Sequence, residues 1–197
     1  MHTETLKRDW TNRVPKEDIV RKIYICYPTK AFEGREDLGF EIFDSVSRFF
    51  GIPFSSVQVV GSAKTGKSYH KLTDFVEGNS DLDVAIISPE LYLKYMEICY
   101  KVTKGFSDQS SFKLGKNGKS DIIEFKKCLV NGIFRPDLMP NCSQKTNWWT
   151  FFNKLSNKHA SVFKSINAGI YASQYFFEFK QIESLRSYME RIGGTKL

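Results

Sequence analysis

Val57-Gln58-Val59-Val60-Gly61-Ser62 and, further on, Ser80-Asp81-Leu82-Asp83-Val84-Ala85-Ile86-Ile87 are the stretches on which the fold turns. A β-branched run that stops abruptly at Gly-Ser reads as a strand entering a tight turn. The second run places an Asp-x-Asp at the mouth of another apolar strand. Residues i and i+2 of a strand point to the same face, so Asp81 and Asp83 project side by side. Two carboxylates so placed suit a hard divalent cation. Glycine at 61 removes the Cβ that would otherwise stand between the backbone and an approaching group.

Working outward, Leu38, Ile42, Val46 and Phe49 recur at three- and four-residue spacing, widened by Phe43 and Phe50, and Gly51 follows. This predicts an amphipathic helix over 35–50 with a glycine stop. Ser88 caps a helix whose first turn holds Pro89 and whose stripe is Tyr92, Tyr95, Met96, Cys99 and Val102. The segment 104–120, with three glycines and four lysines, reads as a basic loop. Asp121 to Leu129 is expected to be helical. Ile133 to Met139 reads as a short strand, at an edge because Pro136 interrupts it. Trp148, Phe151, Phe152 and Leu155 mark a helix, with Trp149 as an exposed aromatic platform beside the buried Trp148. Val162 to Tyr171 reads as extended. A last helix carries the stripe Tyr175, Phe179, Ile182, Leu185, Met189 and Ile192, ended by Gly193-Gly194. Near the start, only Ile23 to Tyr27 forms an apolar patch. This alternation predicts an α+β (α/β) protein, a mixed sheet flanked by helices. The organisation expected is an N-terminal extension (1–34) and a main domain with C-terminal helices (35–197), one domain overall.

Hydrophobic residues make up 41% and charged residues 26% of the 197, which excludes wholesale disorder. No apolar run is long enough to cross a bilayer, so no membrane partner is expected. Met1 to Trp10 lacks the apolar stretch of a signal peptide, and a cytoplasmic protein is expected. Cys26, Cys99, Cys128 and Cys142 have no metal-ligand spacing and read as reduced structural thiols. His2, His70 and His159 form no ligand motif. The formal charge of +7 favours anionic partners without naming one.

Gly61-Ser62-Ala63-Lys64-Thr65-Gly66-Lys67-Ser68 admits two readings. It satisfies the P-loop pattern, in which Lys67 would reach terminal phosphates and Ser68 would hold magnesium. That reading lacks an acidic residue at the far end of an apolar strand, since the strand after Asp83 ends in Ser88-Pro89. The other reading takes in more residues. Strand, Gly61-Ser62 turn, then Asp81-x-Asp83 opening a second apolar strand resembles the signature of the DNA polymerase beta-type nucleotidyltransferase superfamily. Phe134-Arg135-Pro136-Asp137-Leu138-Met139-Pro140 resembles the third-acid element of the oligoadenylate synthases and their bacterial cyclic-nucleotide-synthase relatives.

The resemblance implies a polymerase beta-like nucleotidyltransferase core and metal-dependent transfer of a nucleoside monophosphate from a nucleoside triphosphate to a hydroxyl, releasing pyrophosphate. Asp81, Asp83 and Asp137 are then the catalytic and metal-binding acids, with Glu124 in reserve for the third. Two Mg2+ ions, or Mn2+, are the implied cofactor. Gly61, Ser62, Lys64 and Lys67 hold the triphosphate. The acceptor is an oligonucleotide, tRNA, a protein or a hydroxyl of the enzyme itself. Little chain remains for the helical domain of larger relatives, so a partner protein or homo-oligomer would complete the site. Stand-alone bacterial members suggest phage defence or a toxin–antitoxin pair. The alternatives are a P-loop NTPase and a nucleotide- or RNA-binding module without catalysis.

Overall fold

A computed structural model describes residues 2–114 and 121–193. Chain order begins with helices α1 (His2–Thr11) and α2 (Lys16–Val20), the latter running into a π-helical turn, Arg21–Cys26. Helix α3 (Glu36–Phe50) ends at Gly51 in the left-handed conformation, φ 65°. Strand β1 (Val57–Val60) leads directly into the short helix α4 (Gly61–Thr65). Strand β2 (Leu82–Ile87) is followed by α5 (Pro89–Val102). Ser88 caps α5 by accepting from the Leu91 amide at 3.1 Å, and proline at the first helical position needs no N–H partner. The remaining elements are α6 (Ile122–Val130), β3 (Ile133–Phe134), α7 (Ser143–Lys158), β4 (Ile166–Tyr171) and α8 (Gln174–Arg191).

The four strands form one mixed sheet in the order β1-β2-β4-β3. β1 runs antiparallel to β2, β2 parallel to β4, and β3 antiparallel to β4. Alternation along the strands divides the apolar residues between two cores. One face presents Val57, Val59, Leu82, Val84, Ile86, Ile166 and Ile170 to Ile42, Val46, Tyr95, Cys99, Trp148 and Phe152. The other presents Ala85 and Tyr171 to Leu6, Ile19, Ile23, Tyr24, Phe177 and Leu185. The chain is therefore an α+β protein with helices on both faces of a mixed sheet. Residues ahead of 35 are not a loose appendage: α1, α2 and the π-helical turn share the second core with α8.

Three local expectations need correction. The strand expected over 133–139 stops at Phe134. Pro136 has no amide for a ladder, and the chain folds into a turn in which the Leu138 amide donates to the Arg135 carbonyl at 3.1 Å. The stripe of α8 is rotated in its first turns: Phe177, Glu178 and Gln181 face inward, leaving Tyr175 and Phe179 exposed as a stacked pair. Partners for Glu178 decide this, because Arg21 donates to its carboxylate at 2.8 and 3.0 Å and keeps a buried charge satisfied. Helix α1, with Leu6 and Trp10 buried, has no counterpart in the sequence reading. The basic loop expected at 104–120 lies partly outside the described residues.

Candidate active site

The second face of the sheet is left uncovered where β1 ends and where β2 and β4 begin. Register puts Val60 opposite Asp83 and Asp83 opposite Asn167. Asp81 precedes β2 by one residue and stands on the same side as Asp83. The Ser165 hydroxyl donates to Asp81 Oδ1 at 2.7 Å, and Asn167 Nδ2 donates in turn to Ser165 Oγ at 2.8 Å. This chain fixes the Asp81 carboxylate while leaving its other oxygen free of it.

Gly61 closes the arrangement. Its φ is +69°, and a Cβ built on it would lie 2.9 Å from Asp83 Oδ2. Both the backbone conformation and the close carboxylate therefore demand glycine. Gly61, Ser62, Asp81 and Asp83 line one polar cleft of about 420 Å3, with Lys67, Lys71 and Lys164 also on its wall. Asp83 is exposed to this cleft. Loss of water around it pushes its carboxyl above the ordinary value, the negative charge of Asp81 adds to this, and Lys71 opposes it. A divalent cation between the two carboxylates would relieve both effects, so the donor set fits one hard cation.

The other expected site residues are placed differently. Lys64 does not face the cleft: it is 3% exposed, and its ammonium donates to the Tyr27 carbonyl at 2.7 Å. Burial lowers its pKa to about 8. As the fourth residue of a one-turn helix it points back toward the π-helical turn, where it ties α4 to the end of that turn. Lys67 lines the cleft but pairs with Asp74 at 3.1 Å. Asp137 lies in the turn after β3, where Arg135 holds both its oxygens, one of them at 3.1 Å. Asp81, Asp83 and Asp137 are not drawn into one metal-holding group, and among the described residues no cluster of three such ligands occurs. Glu124 stands with Asp137 around a larger cavity of about 640 Å3, which Trp149 also lines. The position beside Asp83 on the neighbouring strand is taken by Asn167, a neutral amide.

The P-loop geometry is not formed. In a P-loop the glycine-rich segment loops first and the helix starts near its lysine. Here α4 occupies the first five positions of the motif and ends at Gly66, φ 78°, before Lys67 and Ser68. Those two residues leave in an extended connection, with Lys67 bridged to Asp74.

Sequence reasoning missed Ser165, Asn167, Lys71 and Lys164. Asn167 carried one faint signal, a polar residue inside the run Ile166-Asn167-Ala168-Gly169-Ile170-Tyr171. Only the parallel register with β2 reveals its neighbour. The chain matches no protein-family model, no curated protein and no solved structure. Among the described residues, no helix is long and apolar enough to cross a membrane.

Proposed function

We propose that the chain is a metal-dependent nucleotidyltransferase of the DNA polymerase beta type, moving a nucleoside monophosphate from a nucleoside triphosphate to a hydroxyl. The observation that carries this reading is the packing of the Gly61 backbone against Asp83 in a cleft shared with Asp81 and Ser62. The antiparallel ladder brings the Gly-Ser turn to the Asp-x-Asp pair, and the bare backbone, the Ser62 hydroxyl and both carboxylates then face one cleft.

Asp81 and Asp83 would hold magnesium, which supplies charge neutralisation at the α-phosphate and on the leaving pyrophosphate. Ser62 and the bare backbone at Gly61 receive the β- and γ-phosphates, and Lys71 and Lys164 add positive charge at the wall. The acceptor oxygen bonds to the α-phosphorus as the bond from that phosphorus to the bridging oxygen breaks. Pyrophosphate leaves, and the hydroxyl proton passes to water at the cleft mouth. Asn167 can orient the hydroxyl but cannot take its proton, since a neutral amide is not a base at ordinary pH. Ser165 keeps Asp81 in position through its 2.7 Å bond.

The test is to incubate the protein with magnesium and each ribo- or deoxyribonucleoside triphosphate in turn, measuring pyrophosphate and orthophosphate in parallel. Pyrophosphate from one nucleotide, absent in Asp83→Asn, is the expected result. Orthophosphate alone that survives Asp83→Asn and vanishes in Lys67→Ala would restore the P-loop reading. Nucleotide affinity indifferent to Asp81 and Asp83 would leave a binding module.

A further inference from the structure

The larger cavity shares Asp83 with the polar cleft, and Asn167, beside Asp83 in the ladder, lines the cavity. It lies along an edge of the sheet that is only partly closed. β3 pairs with β4 at Tyr171 and Ile170 and goes no further. From Ile166 to Gly169 that edge of β4 has no strand partner among the described residues. The direction of its backbone groups follows from bonds at either end. The Ile166 amide donates to Ser156 Oγ at 2.8 Å, away from β2. The Ser165 and Tyr171 carbonyls accept from the Leu82 and Ser88 amides, toward β2 and the residue after it. Alternate residues of a strand share an edge, so Ala168 turns its N–H and C=O into the cavity. Asn167, Ala168 and Gly169 are half-buried.

The surroundings have little excess positive charge. Arg135 is paired with Asp137, and Lys180 with Glu183 at 3.3 Å. Around the cavity the acids Asp83, Glu124, Asp137 and Glu183 outnumber the bases Lys127, Arg135 and Lys180, whereas a phosphodiester strand binds through unpaired lysine and arginine. Exposed aromatics stand close by: Phe179 lines the cavity and stacks with Tyr175, rings 6.3 Å apart. Aromatic groups and a free hydrogen-bonding edge are what an extended peptide requires.

We infer that the acceptor is a polypeptide: an extended segment adds to the open edge of β4 at Ala168 and presents a serine, threonine or tyrosine hydroxyl toward Asp83. This rests on the nucleotidyl-transfer reading and specifies its acceptor. The side-chain oxygen bonds to the α-phosphorus, pyrophosphate departs, the hydroxyl proton goes to water, and a phosphodiester-linked nucleotide remains on the peptide.

The test uses the full chain, magnesium and nucleoside triphosphates labelled at the α-phosphate. Acceptors are an array of short peptides with a central serine, threonine or tyrosine and, in parallel, short oligoribonucleotides with free 3′ hydroxyls. Label on peptides is expected, falling about tenfold in Ala168→Pro, which deletes one edge N–H while sparing the ladder to β2. In the unmutated protein the best-labelled peptide is expected to slow hydrogen exchange at 166–169, a readout that does not depend on the variant folding. Pyrophosphate release with label on oligoribonucleotides or on no peptide would overturn the peptide inference and leave nucleotidyl transfer standing. Peptide labelling without slowed exchange at 166–169 would overturn the edge as the docking site. No pyrophosphate release with any acceptor, together with no magnesium-dependent nucleotide binding, would remove both.

Discussion

The cleft beside Asp83 and the cavity beside Asp137 meet at one wall and treat charge in opposite ways. In the cavity, Arg135 takes both oxygens of Asp137 and Lys180 takes Glu183. In the cleft, neither Asp81 nor Asp83 makes an ion pair among the described residues, although they crowd each other enough for Asp81 to raise the Asp83 carboxyl. A fold ordinarily avoids two neighbouring carboxylates without a cation, because each disfavours ionisation of the other. Under the proposed function, the cost of keeping them is offset when a cation binds between them. The difference separates an aspartate paired within the fold from two carboxylates without a cation partner, the pair to which the proposed function assigns the metal.

The largest effect expected follows from that distinction. Asp83→Asn should lower pyrophosphate release by about a thousandfold, since several kcal/mol of charge stabilisation depend on it. Asp137→Asn should lower kcat by less than about tenfold, because its carboxylate is committed to Arg135. Equal losses in the two variants would break the comparison and return Asp137 to the metal site.

Each region also hinges on a glycine at positive φ, and the two should fail differently. A Cβ at Gly132, φ +66°, would lie 2.2 Å from the Phe176 ring. Gly132→Ala should destabilise the fold by about 2–4 kcal/mol through strain and overpacking, read as a lower midpoint in urea. At Gly61 the obstructing atom is a carboxylate oxygen at 2.9 Å. Gly61→Ala should cost about 1–3 kcal/mol and, unlike Gly132→Ala, weaken magnesium-dependent nucleotide binding by displacing Asp83. Gly51→Ala is the control for backbone strain alone, since at φ +65° its Cβ would meet nothing within 4 Å. If Gly61→Ala bound nucleotide normally, the close contact with Asp83 would have no functional weight.

The two regions also differ in how far they could be read from residue order. Around Asp83 the information is local: β-branched runs name the strands, glycine and serine name the turn, and the i, i+2 spacing names the shared face. Helices α3 and α5 were equally legible from spacing, Gly51 and the Ser88-Pro89 cap. Around Asp137 the decisive facts are not local. Whether residues 135–139 continue β3 depends on Pro136, which has no amide for the ladder, and on the turn closed by the Leu138 amide on the Arg135 carbonyl. The inward turn of Glu178 depends on Arg21, far away in sequence. Lys64 is polar by type, and only its hydrogen bond to the Tyr27 carbonyl, distant in sequence, shows where it is buried. Asn167 becomes meaningful only through parallel register, which sequence periodicity does not specify.

The smallest effect concerns the Asp83 carboxyl itself. Loss of surrounding water and the charge of Asp81 hold the Asp83 carboxyl above its ordinary value in the folded protein. Its ionisation therefore costs stability at neutral pH. That cost falls away as pH drops through the raised folded value and is gone below the ordinary carboxyl value of the unfolded chain. Asp83→Asn removes it, so the metal-free variant should melt higher than the parent at neutral pH, with the gain shrinking on acidification. Asp9 and Glu178 behave oppositely: hydrogen bonds from Lys22 and Arg8, and from Arg21, hold their carboxyls low. Acid weakens both proteins through those groups, and only the difference between the two melting curves reports on Asp83. Magnesium should reverse the order at neutral pH by stabilising the parent through the carboxylate pair and leaving the variant nearly unmoved. A variant that melts lower than the parent without metal would mean that Asp83 serves the fold, and the contrast with Asp137 would collapse.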